Sequence, residues 1–305
     1  MTPRGAGAGA PPDYAAALAR LAHRERPMGV LAVAGADRAA FLQGQLTQDV
    51  RGLENGQARR AAGLTPKGKL LYFGWLAAEP ERLLLLVPAE RRGAVLAHLS
   101  RYAVLSKVSL TDATPEFALL ALYGPAAPSL ELPGAVVRLP AEGEIAAGAL
   151  VPESARGGLL RALADAGSVP LSETSAEALR VESGRPRYGR DADETNLPDE
   201  LGLESAISTT KGCYVGQEIV ARLRTYGRVS RRLVGFRFPG GAVPAETVFP
   251  DPEKAGHELG RVTSSVESPR FGPIGLGFAA RDVEDGAVLG GVGGPAAIVG
   301  PLPFA

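Results

Sequence analysis

The sequence predicts an α+β protein with two tandem α/β units and a small all-β unit at the C-terminal end. Three observations carry that reading. At 305 residues the chain is long for a single core, and its 45% hydrophobic and 22% charged content is ordinary for a globular protein. Between residues 28 and 112, apolar runs and helical periodicities follow the order strand–helix–strands–helix–strand, which is that of a ferredoxin-like layer with helices on one sheet face. Beyond residue 236, short strands alternate with Gly/Pro turns at 239–244, 250–252 and 268–275, the pattern of a small barrel or sandwich.

The elements follow in order. Residues 1–27 are expected to be mostly a disordered tail, to about Pro12, with a short helix over 14–26. The first α/β subdomain, 28–112, opens with the strand Met28 to Val33. A helix after Gly35-Ala-Asp37 carries Phe41, Leu42 and Leu46 at helical spacing. Strands are expected at 58–64, 69–77 and 82–87, then a helix from Ala89 to Tyr102 with Val95, Leu96, Leu99 and Tyr102 inward, and a strand near 107–110. The second subdomain, 113–235, has strands at 117–123, 136–139 and 149–151 and a helix over 159–166. Thr174-x-x-Glu177 reads as a capping box for the next helix, which Gly184 and Pro186 close. A further helix is expected over 200–205, and residues 236–305 form the β-barrel.

Formal net charge is zero, so bulk electrostatics give no reason to expect nucleic acid or an anionic membrane as partner. One cysteine excludes a disulfide framework and a self-contained cluster or structural zinc, and His23, His98 and His257 lack ligand spacing. No apolar run approaches the ~18 residues of a membrane span, and the N-terminal stretch lacks a signal-peptide core. The chain therefore reads as cytoplasmic, with no metal of its own.

The one cysteine lies in Lys211-Gly-Cys213-Tyr214-Val-Gly216-Gln-Glu218, where one of only five lysines also sits. A helix is expected from Gly216. Its N-terminal dipole and an ammonium two residues away would both favour a thiolate at Cys213. The alternative is a small buried hydrophobe, the commoner fate of a single cysteine. A second stretch, Leu179-Arg180-Val-Glu182-Ser-Gly184-Arg-Pro186-Arg-Tyr188-Gly189, places an acid on the last turn of an apolar-faced helix, against the dipole. Glu182 either accepts paired N–H donors from a heterocycle or forms an ion pair with Arg180 or Arg185. Arg222, Arg224, Arg228, Arg231 and Arg232 either bind an anionic ligand group or form a solvated face.

The octapeptide resembles the signature of the YgfZ family, folate-binding proteins related to the T-protein (aminomethyltransferase) of glycine cleavage, which serve iron–sulfur enzymes. Phe41-Leu-x4-Thr47-x-Asp49-Val50 is similar to that family's early helix end. Arg180, Glu182, Gly184, Tyr188, Gly189 and Asp191 match a block that both groups carry, and residues 260–277 resemble the final barrel. The resemblance implies a GcvT-type fold with three subdomains in a ring around a tetrahydrofolate site. It implies Glu182 as pterin contact, with Tyr188, Arg180 and Tyr214 around the ligand. It further implies Cys213 as redox thiol or transient cluster ligand, with Lys211 lowering its pKa, and iron–sulfur enzymes or cluster carriers as partners, including those that thiomethylate tRNA. One departure matters: T-proteins carry a catalytic aspartate after the turn aligned with Lys67-Gly-Lys-Leu70, where this chain has Leu71-Tyr72-Phe73. Without that charge, a developing iminium loses its stabilising device, so folate-dependent aminomethyl transfer is the second reading.

Overall fold

The computed structural model describes residues 9–227, 229–291 and 293–305. The expected disorder of the first residues falls largely on 1–8, outside the described residues. The chain enters with α1 (Pro12–Ala19) and β1 (Ala22–Glu25), then builds the first α/β unit from β2 (Met28–Ala34), α2 (Arg38–Gln45), β3 (Ala58–Leu64), β4 (Leu70–Ala78), β5 (Arg82–Pro88), α3 (Arg92–Tyr102) and β6 (Ser109–Asp112). These strands pair antiparallel in the order β3-β4-β5-β2-β6, a ferredoxin-like order with one extra strand between the helices. Phe41 and Leu42 of α2 and Val95 and Leu99 of α3 bury one sheet face. Tyr102, expected to face inward, is 43% exposed because it ends its helix beyond the sheet.

The second unit contains β7 (Phe117–Tyr123), β8 (Val137–Leu139), β9 (Ala147–Pro152), α4 (Glu153–Asp165), β10 (Val169–Pro170) and α5 (Glu173–Ser183). Its sheet runs β10-β1-β7-β9-β8, with β1 wedged antiparallel to β7 and parallel to β10. Residues 12–25 therefore belong to this unit, correcting the expected tail and the helix continuing to Arg26. The four residues Ala-His-Arg-Glu carry no strand signal of their own, and only the vacancy between β7 and β10 makes them one. Trp75, Leu84 and Leu86 of the first sheet meet Leu119, Leu139 and Leu150 of the second, so the two sheets share a core.

Helix α5 is capped by Ser172, whose Oγ accepts the Ser175 N–H (3.2 Å); the expected capping box at Thr174 does not form. Glu177 is thereby free to turn elsewhere. At the other end Gly184 takes φ +75°, and a Cβ there would strike Leu302. The expected helix over 200–205 resolves into 3₁₀ turns at Pro198–Glu200 and Glu204–Ala206, before α6 (Gln217–Tyr226).

The barrel comprises β11 (Arg231–Arg237), β12 (Val248–Pro250), β13 (Glu258–Ser268), β14 (Gly272–Ala280), β15 (Val288–Gly290) and β16 (Ala296–Gly300), so it starts at 231 rather than 236. Its order is β12-β13-β14-β11-β16-β15, and the edges β12 and β15 touch, leaving it nearly closed. Ile274 and Leu276 pack on Val181 of the second unit, while Phe278 packs with Leu64 and Leu70 of the first. Each unit thus touches the other two, a ring. Among the described residues no helix is long and apolar enough to cross a membrane.

Candidate functional site

A cavity of about 580 Å³ opens between the two α/β units, within the size range of small-molecule sites. Alternation along β4 sends Phe73 and Trp75 toward it and Tyr72 and Leu76 into the helix-covered core. The opposite wall is α5 with Pro186, Tyr188 and Gly189; Arg24, Arg26, Tyr123 and Glu142 come from β1, the β1–β2 link, the end of β7 and the β8–β9 loop. The surface therefore combines four aromatic rings, Phe73, Trp75, Tyr123 and Tyr188, with a larger set of arginines and glutamates that converge on it.

Glu142 is the carboxylate best placed for a ligand. Arg60 Nη1 holds its Oε1 at 2.8 Å, and Arg26 Nη1 stands 3.7 Å from Oε2. Burial works to raise its pKa, but Arg60, Arg185 and Arg26, with a contribution from Trp75, outweigh it and hold it below the usual value. Arg185 grips Glu144 through Nε and Nη2 (2.6 Å), fixing the same loop from behind. Burial pushes Tyr123 up to about 12, with Glu144 adding to the effect, so this wall residue is neutral.

Arg180 is buried, and every donor of its guanidinium is already used. Nε and Nη2 bond Glu177 (2.9 and 2.8 Å), Nη1 bonds Asp191 (2.6 Å) and the Arg185 carbonyl (2.7 Å), and Nη2 also reaches Ser264 Oγ (2.7 Å). Arg180 does line the cavity, as expected, but its donors are spent on holding α5, the 185–191 loop and β13 together. Burial would raise the pKa of Glu177, but Arg180, then Arg187 and Arg190, bring it down to about 2. A folded-state value below the unfolded 4.5 means this group's stabilisation is present above pH 4.5 and is lost as pH falls toward 2. Unfolding free energy measured across that interval should fall more steeply in wild type than in Glu177→Gln.

Glu182 does not line this cavity. Its carboxylate faces α1 and the barrel, where Tyr14 Oη (2.6 Å), Ser268 Oγ (2.6 Å) and Arg270 Nε (3.0 Å) surround it. It borders instead a separate hollow of about 200 Å³ beside Ala17, Leu18 and Phe304. The helix turn that the sequence marks as unusual is explained by this internal ion pair, not by a ligand. Arg270 and Tyr14 lie 88 and 168 residues away along the chain, so sequence reading offered only the neighbouring arginines as partners.

Tyr188 does line the cavity, 6.0 Å from Phe73 between ring centroids and with Arg91 over its face. Burial raises its pKa to about 12, and its buried hydroxyl has no partner among the described residues. Sequence reading missed Glu142, Glu177, Arg26, Phe73, Trp75 and Tyr123. The usable signals were the lone tryptophan and the Glu142-Gly-Glu144 turn between two strands.

The cysteine loop lies on a different part of the surface. Cys213 is exposed, and its Sγ makes no hydrogen bond among the described residues, either to Lys211 or to the start of α6. Lys211 donates all three ammonium N–H groups to the carbonyls of Gln43 (2.8 Å), Leu46 (2.6 Å) and Gln48 (2.9 Å), and lies 5.1 Å over the Tyr214 ring. Burial lowers its pKa to about 8. The two sequence segments 41–50 and 211–218 thus meet: the lysine ties the loop to the end of α2. Val215 N–H adds a bond to the Gly44 carbonyl (3.1 Å). Gly216, at φ +84°, fits against the Thr65 carbonyl, where a Cβ would approach to 2.5 Å. Tyr214 packs with Leu203 and Ile207 and is not on the cavity wall. Lys211→Met should cost about 1.5–3 kcal/mol of stability and speed amide exchange over 208–216. Unchanged exchange there would remove the anchoring role.

Among the candidate arginines, Arg224, Arg231 and Arg232 pair with Asp199, Glu200 and Asp285, and Arg222 is exposed; none lines the cavity. Arg228 lies outside the described residues. The more exposed arginines on the cavity wall are Arg187 and Arg190.

No protein-family model matches the chain. It is 32% identical over 304 residues to an aminomethyltransferase of Rubrobacter xylanophilus, covering 91% of this chain and 81% of that one. It is 33% identical over 262 residues to the tRNA-modifying protein YgfZ of Yersinia enterocolitica, covering 78% and 76% of the two chains. The crystal structure of the glycine cleavage system aminomethyltransferase T from Bartonella henselae superposes with a TM-score of 0.80 over 96% of this chain and 88% of that one, at 23% identity, and so shares its fold. A cysteine octapeptide on a three-unit ring of this type, together with that extent of identity, shows that the chain belongs to the YgfZ family of the GcvT-like superfamily.

Proposed function

We propose that this protein binds a reduced folate in the cavity between its α/β units and acts as an accessory factor in tRNA modification, presenting Cys213 to iron–sulfur enzymes or their cluster carriers. The observation that carries the folate reading is the cavity itself, where Phe73, Trp75 and Tyr188 stand beside a nearly buried carboxylate, Glu142, among several arginines. A pterin offers adjacent N–H donors to Glu142 and a flat face to Phe73, Trp75 and Tyr188. The Tyr188 hydroxyl on this wall is buried and has no partner among the described residues, so a ligand can supply one. Arg187 and Arg190 suit the carboxylates of a glutamyl tail. The relatives named as aminomethyltransferases and as tRNA-modifying YgfZ proteins support a folate-related role.

The accessory reading rests on Cys213 being exposed on an anchored loop outside the cavity, where a partner's cluster can reach it. Lys211 serves there by fixing the loop. Aminomethyl transfer is the weaker reading, because the cavity-facing side chain on the relevant stretch of β4 is the apolar Phe73 while Tyr72 is buried behind it. The test is calorimetric titration of the purified protein with tetrahydrofolate and its 5-formyl derivative, beside tRNA thiomethylation in cells carrying wild type or Cys213→Ala. Saturable folate binding by both proteins, with loss of modification only in the variant, is expected. Absence of binding by wild type, or full modification by the variant, rejects the corresponding half.

A further inference from the structure

Arg26 is a charged side chain on the cavity wall whose donors go unused. It comes from the two-residue link between β1 and β2, the segment that brings the N-terminal strand into the second sheet. Its guanidinium makes no side-chain hydrogen bond among the described residues, and the nearest acidic oxygen, Glu142 Oε2, is 3.7 Å away. The other carboxylates nearby are engaged: Glu144 by Arg185, Glu177 by Arg180, and Glu173 by Arg24. Burial, then the like charge of Arg185, pulls its pKa below the usual arginine value against the effect of Glu142. With 23% of its side chain exposed, the guanidinium is open to water from the cavity, and a ligand that displaces that water must supply an acceptor in its place.

Glu142 beside it is asymmetric. Its Oε1 is held by Arg60, while the nearest ion-pair nitrogen to Oε2 is that of Arg26, too far for a hydrogen bond. The wall therefore presents a carboxylate acceptor and a fork of N–H donors side by side, flanked by the Trp75 ring. A ligand edge that satisfies both must carry N–H donors next to a carbonyl oxygen.

We infer that Arg26 is a specificity-determining residue that reads the 4-oxo oxygen of a 2-amino-4-oxo pteridine while Glu142 takes the neighbouring N–H groups, so that the site rejects 2,4-diamino pteridines. This deepens the folate reading and rests on it. In a 4-amino compound an N–H donor would face the guanidinium, leaving donors on both sides without an acceptor. Such a mismatch weakens binding where a charged hydrogen bond is lost.

The test compares tetrahydrofolate, a 4-oxo compound, with tetrahydroaminopterin, which differs from it only in carrying a 4-amino group, on wild type, Arg26→Met and Arg26→Lys by calorimetry, with thermal melts confirming that each variant folds. Wild type is expected to prefer the 4-oxo compound by about 10- to 100-fold. Arg26→Met should bring that ratio close to one, chiefly by weakening tetrahydrofolate, and Arg26→Lys should recover part of it. Equal affinities in wild type, or an unchanged ratio in a folded Arg26→Met, overturn the inference while leaving folate binding intact. If neither compound binds wild type, the folate reading fails and this inference goes with it. An Arg26→Met protein that does not fold transfers the decision to the wild-type ratio and to the lysine variant.

Discussion

Glu142→Ala is expected to weaken reduced-folate binding by about 10- to 100-fold, while Glu182→Ala leaves it within about threefold of wild type. The contrast follows from where the two carboxylates point. Glu142 lies on the cavity wall with Oε2 open, and removing it takes away the one acceptor that pairs with buried N–H donors, a loss of about 1.5–3 kcal/mol or more once those donors are left without a partner. It also leaves Arg60 nearly buried without the carboxylate that pairs with it. Glu182 sits on the far side of α5 and is enclosed by Tyr14, Ser268 and Arg270. Its loss should lower the melting temperature through the unpaired Arg270 and leave the ligand untouched. Titration of both variants with tetrahydrofolate separates the roles; strong binding by Glu142→Ala would show that the cavity does not hold the pterin at this wall.

Replacing Arg180 by alanine should destabilise the protein by about 3–5 kcal/mol, the usual result of removing one partner from a buried ion pair. Glu177 would keep only the weaker, more exposed Arg187 and Arg190, and Asp191 would remain fully buried with Thr263, Ser264 and one backbone N–H as donors. At the scale usual for large domains this corresponds to a melting temperature lower by about 6–20 °C. Arg180→Lys should recover part of the loss through its charge but not the five-fold donor geometry. A shift of less than about 2 °C in the alanine variant would mean that the network contributes little. Because the same residue backs the cavity wall, folate affinity measured well below the melting point should change less than in Glu142→Ala.

The elements that the sequence predicts well are those whose pattern is local. The strands of the first unit, the glycine cap at Gly184 and the helix after Gly216 follow from apolar runs and from residues that tolerate positive φ. The strand Ala22–Glu25 is different: four mixed residues become a strand because two others leave a gap between them, which no window of the sequence reveals. Tyr188 was placed near the ligand by the family resemblance its motif carries, and it does line the cavity. Glu182, Arg180, Lys211 and Tyr214 were singled out from the same motifs, yet each is directed at partners within the protein.

By itself, the sequence determined the class of fold, the order of its three units, the uniqueness of Cys213 and the absence of an acid on the aminomethyltransferase stretch of β4. The first three are properties of composition, periodicity and neighbouring residues, and the last rests on the family resemblance. Which carboxylate faces the cavity was decided only when α5 was set between the cavity and the barrel. A helix has two sides, and the partners that claim each side — Arg270 and Tyr14 on one, Arg187 and Arg190 on the other — come from sequence-distant or loop segments that only tertiary packing brings within hydrogen-bond range.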